Sequence, residues 1–175
     1  MADEPTLAAA TGLGEEEVAA VLATLAAEGM AERAPSGPDD AWLMTPGGLT
    51  AHGERVAALR EQLAPGGVAA AYDSFLELNE PAKRLVSRSQ QGALEEAELL
   101  IELEEIAERV NEALGHAARH ERRFAVYGER FDAALERIGA GELRYVDDPE
   151  IDSFHTVWFE CHEDFLLTLG LRREE

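Results

Sequence analysis

The stretch 152–171, DSFHTVWFECHEDFLLTLGL, holds the densest group of residues able to do chemistry. His155, Trp158, Phe159 and His162 recur at i, i+3, i+4 and i+7, so they share one side of a helix. Imidazoles both donate and accept, and an indole offers an apolar face with a polar handle, so this side suits a ligand pocket. It equally suits the hydrogen-bonded edge of an aromatic core. A shared metal fits poorly. Two histidines two turns apart stand about 10 Å apart along the axis, and the HExxH spacing of a zinc helix is absent.

A second set is basic. Arg119, His120, Arg122, Arg123, Arg130, Arg137 and Arg144 form the one basic region of the chain. Arg123, Arg130 and Arg137 are spaced by seven, which puts them on one helical face. Guanidinium groups bind carboxylate and phosphate bidentately, so these three are expected to hold a small anionic ligand. The competing expectation is intramolecular pairing with acids of neighbouring helices, each surface pair contributing ~0–1 kcal/mol. Glu102, Glu105 and Glu108 lack the Glu-x-x-His partners of a carboxylate metal box, so they read as a solvated face. Cys161 is the single cysteine, which excludes an intrachain disulfide and a cysteine-based zinc site. No base is fixed beside it in sequence to make it a nucleophile. The GAGE at 139–142 is a helix terminator, not a phosphate loop. No catalytic residue, metal or cofactor is therefore expected, and the chain is not expected to be an enzyme.

Composition narrows the partners. The 175 residues carry 36 Asp plus Glu against 15 Lys plus Arg, a net charge of −21. That field repels nucleic acid at long range. A hydrophobic content of 46% is too high for a disordered acidic tail. No run approaches the ~18 consecutive apolar residues of a membrane span, and Met1 to Leu13 has no signal-peptide pattern. Abundant alanine, and arginine in place of lysine (Lys83 is the only one), point to a GC-rich bacterial genome and a cytoplasmic protein.

These side chains need elements to hold them. Ala, Leu, Glu and Arg favour helix, so the chain is expected to be mostly α. Helices are predicted at 6–12, with Thr6 as cap, and at 15–28. Short strands at 30–34 and 41–44 flank the turn-forming PSGPDD. Thr45-Pro46 opens a further helix. Pro65-Gly66-Gly67 is the boundary candidate, giving an N-terminal unit 1–64 and a helical bundle 65–175. Within the second unit Pro81 should break or kink a helix. Leu99, Leu103, Ile106, Val110, Ala113 and Ala117 make a heptad seam, serving the monomer core or self-association. Phe124, Tyr127, Phe131, Leu135 and Ile138 make a second stripe, and Asp148-Pro149 opens the final helix.

The order helix, turn, helix, hairpin, helix, carried by TLAAATGLGEEEVAAVLATLAAEGMAER and AWLMTPGGLTAHGERVAAL, resembles the winged helix-turn-helix of MarR-like bacterial regulators. The resemblance covers residues 3 to about 63 and implies a truncated winged helix, since the chain starts at the helix-turn-helix without the leading helix. It implies a DNA-binding transcriptional regulator, with the second helix in the major groove and Arg33 and Arg55 at the DNA. The charge departs from that pattern. Residues 1–63 hold eleven acids and three arginines, net −8, with Glu15, Glu16 and Glu17 in the first turn of the second helix and Asp39 and Asp40 at the wing tip. Residues 68–173, through FLELN, RFDAALERIGAGELRYV and the final-helix phrase, resemble a helical segment associated with phosphoenolpyruvate-utilising, pyruvate phosphate dikinase-like bacterial proteins. That resemblance implies an accessory subunit and no catalytic residue here. Together these readings favour a non-catalytic regulatory protein that contacts a protein partner or itself, with a small anionic ligand near the arginine-rich helix. DNA-binding regulator and enzyme accessory subunit are the alternatives.

Overall fold

A computed structural model describes residues 2–34, 41–63 and 67–172. The expected boundary at 64–65 and the wing-tip acids Asp39 and Asp40 lie outside the described residues. The chain is mostly helical and divides into two compact units, residues 1–62 and 63–175. No helix among the described residues is long and apolar enough to cross a membrane.

In the first unit, α1 (Glu4–Thr11) begins one turn earlier than Thr6 would place it. Asp3 is the cap: its Oδ1 accepts from the Thr6 N–H at 2.9 Å, and Pro5 sits in the first turn. Gly12, at φ 68°, ends it in the left-handed region. In α2 (Glu15–Ala27) the Glu17 carboxylate reaches back to the Gly14 N–H at 3.1 Å. Only Val18 and Leu22 of this helix are buried, and Glu15, Glu16 and Glu17 are exposed. Strands β1 (Ala31–Arg33) and β2 (Trp42–Met44) pair antiparallel, Ala31 opposite Met44, and Ala2 adds a bridge to Trp42. Thr45 then caps α3 (Pro46–Gln62), its Oγ1 accepting from the Gly48 N–H at 3.0 Å. Gly48 is buried because α3 starts against the chain entering β1. A Cβ at that position would stand 2.0 Å from the Met30 carbonyl oxygen.

The second unit closes four helices into a ring: α4 (Gly67–Gln90), α5 (Glu96–Ala118), α6 (Phe124–Gly139) and α7 (Phe154–Leu169). Each packs on the next, and α7 returns to α4. Arg88 near the end of α4 meets Glu98 near the start of α5, so these two run antiparallel, as short connections require. All six heptad positions of α5 are buried inside this one chain. Phe75, Phe124, Phe131, Phe154 and Phe165 are fully buried. Phe75 stacks on Trp158 at 4.5 Å and Phe124 on Phe165 at 4.4 Å. Burial of each such ring contributes ~1.5–3 kcal/mol.

Two expectations are corrected here. Pro81 neither breaks α4 nor opens a new helix; it lies inside a continuous 24-residue helix. Phe75 and Leu78 before it, and Ala82, Leu85 and Val86 after it, are buried, so the helix packs on both sides of the proline. Nor does Asp148-Pro149 start the last helix. The Asp148 carboxylate instead accepts from the Glu150 N–H at 2.9 Å, a local turn. Ser153 is the cap, fully buried, accepting from the Thr156 N–H at 3.2 Å.

Candidate functional site

Where the second half of α4 passes the first half of α7, the helices separate into a groove of about 420 Å³. From α7 it is lined by Phe154, His155, Trp158, Phe159 and His162. The helical spacing therefore does bring His155, Trp158 and His162 to one place. Trp158 is the anchor. Its ring is buried on Phe75, and its indole N–H donates to Asn79 Oδ1 at 3.2 Å. His162 is half-buried, its Nε2 3.1 Å from the Tyr72 hydroxyl. His155 is exposed at the rim, and Phe159 keeps 49% of its surface open.

The α4 wall carries residues that the sequence did not single out. Ala82 and Val86 continue the apolar floor, and Asn79, Lys83, Ser87 and Gln90 add polar groups. Asn79 uses its carbonyl on Trp158, which leaves its amide N–H groups for a ligand. Among the described residues the Lys83 ammonium pairs with Glu80, at 3.2 Å and more than 60% exposed on both sides, a pair that an incoming anion displaces at little cost. The one available signal was that Lys83 is the sole lysine. Nothing in the sequence places it opposite a helix seventy residues away. Among the described residues no carboxylate lines the groove, although Asp147 accepts from the Gln90 amide at 2.7 Å.

The arginine face is different. Arg123 donates from Nε and Nη2 to Asp164 at 3.0–3.1 Å, and also reaches Thr168. Arg130, 7% exposed, grips Asp152, with Nε to Oδ2 at 2.9 Å, and Glu160 at 2.7 Å. Arg137 pairs with Glu142 at 3.0 Å on the surface. Burial works against the charge on Arg123 and Arg130, but hydrogen bonding and attraction from these carboxylates outweigh it and raise both guanidinium pKa values. The acids used by Arg123 and Arg130 lie on α7, on the turn before it and beside Arg123 itself. Tyr127 donates to Asp164 at 3.2 Å, and burial, with that negative neighbour, raises its pKa. Arg123 and Arg130 thus tie α6 to α7 and to the turn before it, while Arg137 pairs locally with Glu142 just past the end of α6. They are not gathered around the groove of His155 and Trp158.

Cys161 is fully buried and its thiol is pushed well up by desolvation, then by Asp164, which leaves it unreactive. Among the described residues, no three His, Cys, Asp or Glu side chains gather as a metal set. In the first unit, Arg33 donates to Glu4 at 3.0 Å and lies over the Trp42 ring at 4.3 Å, while Arg55 reaches the Met30 sulfur at 3.6 Å. Comparison with family models, curated proteins and solved structures found no match.

Proposed function

We propose that this chain is a non-catalytic regulatory protein. A winged-helix-like first unit contacts a protein partner, and the bundle binds a small amphipathic anion in the α4–α7 groove. The observation that carries this reading is the composition of that groove. In a chain with 36 acids, its lining has none among the described residues, and it gathers the only lysine, two histidines and an aromatic floor. A flat apolar body against Trp158 and Phe159, with a carboxylate toward Lys83 and His155, satisfies that set.

The first unit supports protein contact over DNA by its charge. Glu15, Glu16 and Glu17 stand exposed at the start of the helix that would enter the groove, and Arg33 is engaged by Glu4. Two measurements test the reading. A gel shift at low salt is expected to show no DNA complex; a complex whose affinity falls steeply with salt overturns protein contact in favour of the regulator reading. For the groove, 2-naphthoate at ten times its dissociation constant is expected to stabilise the bundle by about 1.4 kcal/mol. The substitution Lys83→Glu should abolish that gain without lowering the melting temperature of the free protein. A gain that survives Lys83→Glu, or no gain at all, rejects the groove as an anion site.

A further inference from the structure

A smaller cleft, of about 270 Å³, opens between the first two turns of α4 and the end of α5. Gly67, Ala70 and Ala71 give it a wall of small side chains, and the end of α5 brings His116, Arg119 and His120 to the other side. Among the described residues no carboxylate lines it. The adjacent acid in sequence, Glu121, is directed to Arg123 at 3.3 Å. Among the described residues, none of these three basic side chains has an ion pair. His120 is held in place: its ring lies flush on α4 because residue 67 is glycine, where a Cβ would stand 2.4 Å from the imidazole Nε2.

Elsewhere in the basic region Arg144 pairs with Asp148 at 3.3 Å, while Arg122 is exposed and has no ion pair among the described residues. Arg123, Arg130 and Arg137 each meet a carboxylate of the chain itself. The dipole at the end of α5 favours a cation there. It does not account for three basic groups lining one cleft in which, among the described residues, no carboxylate stands.

We infer that this cleft is a binding site for a small tetrahedral oxyanion, inorganic phosphate or the phosphoryl end of a phosphomonoester. Arg119 supplies the planar fork and the two imidazoles supply single donors. The cleft is smaller than the pockets that enclose drug-sized ligands, so only the phosphoryl group enters it. This site is separate from the α4–α7 groove, and its test does not depend on that reading.

The experiment follows the imidazole Cε1 proton resonances of the full chain at about pH 6, the range in which imidazole carries charge. Phosphate is added at constant ionic strength, with methyl phosphate in a parallel titration. The signals of His116 and His120 are expected to shift saturably while those of His52, His155 and His162 stay fixed. Tighter binding of methyl phosphate assigns the site to a phosphomonoester; equal binding assigns it to free phosphate. Arg119→Gln should raise the dissociation constant roughly tenfold or more. Ala70→Glu, an exposed position, should abolish the response by placing a carboxylate in the cleft, as Asp164 does beside Arg123. A response shared by all five histidines, an unsaturable one, or one retained in both variants overturns the site.

Discussion

Replacing Arg130 with methionine tests the electrostatic account of the bundle. The guanidinium side chain is 8% exposed, and its partners Asp152 and Glu160 are 39% and 44% exposed. Breaking a fully buried pair costs ~3–5 kcal/mol because a charge is stranded. Here the stranded groups are two carboxylates that water already reaches, so part of that penalty is recovered, and about 2–3 kcal/mol remains. The triple variant Arg130→Met, Asp152→Asn, Glu160→Gln removes the stranded charges and should return to within about 1 kcal/mol of the parent. Urea unfolding reads this directly. The chain has two tryptophans, Trp42 in the first unit and Trp158 in the bundle, so a Trp42→Phe background isolates the bundle signal. With a slope of ~1–3 kcal/mol per molar urea, the single variant should move the midpoint down by roughly 1–2 M. A loss under about 1 kcal/mol in the single variant, or a triple variant no more stable than the single, refutes the reasoning.

Two further perturbations reach other parts of the chain. Gly48→Ala should destabilise the first unit by about 3 kcal/mol, since the clash is with the Met30 backbone and no side chain can rotate away. Gly53→Ala, on the same helix with nothing within 4 Å, should instead stabilise it by about 0.5–1 kcal/mol; both are read from Trp42 unfolding, and equal effects would contradict the packing. The third is alkaline pH. The folded state raises the thiol of Cys161 above 9.0 and the phenol of Tyr127 above 10.0, so above those values the unfolded chain has lost protons that the folded chain keeps. Bundle stability should therefore fall as pH rises past about 9, by at most about 1.4 kcal/mol per pH unit for each group. Cys161→Ala should delay the onset by about one pH unit, and an unchanged profile would refute the assignment.

What could be read from the sequence followed the range of the interactions involved. The α5 seam is legible because six apolar residues at spacings of four and three can only face one way, and all six are buried. The shared side of His155, Trp158 and His162 is legible for the same reason. Pro81 does not end α4, because burial on both flanks outweighs the hydrogen bond that a proline removes. The cap of the last helix was misplaced because Asp148 and Ser153 carry equal local signals, and only the turn made by Asp148 separates them. Arginine partners were not legible. A chain with 36 acids offers many candidates at helical spacing, and the choice of Asp164, Asp152 and Glu160 depends on how α6 meets α7. Asn79 and Lys83 were missed because their role exists only across the α4–α7 groove.

The internal capture of Arg123, Arg130 and Arg137 has a kinetic consequence. Arg123 with Glu121 and Asp164, and Arg130 with Asp152 and Glu160, each sum to −1, so these arginines offer no positive patch and the field outside belongs to the net charge of −21. That field extends over a Debye length, ~8 Å at physiological salt. A basic partner is drawn in before any contact forms, and an acidic one is held off. The ionic-strength dependence of such an encounter belongs to the association rate, while the dissociation rate is left to the short-range fit.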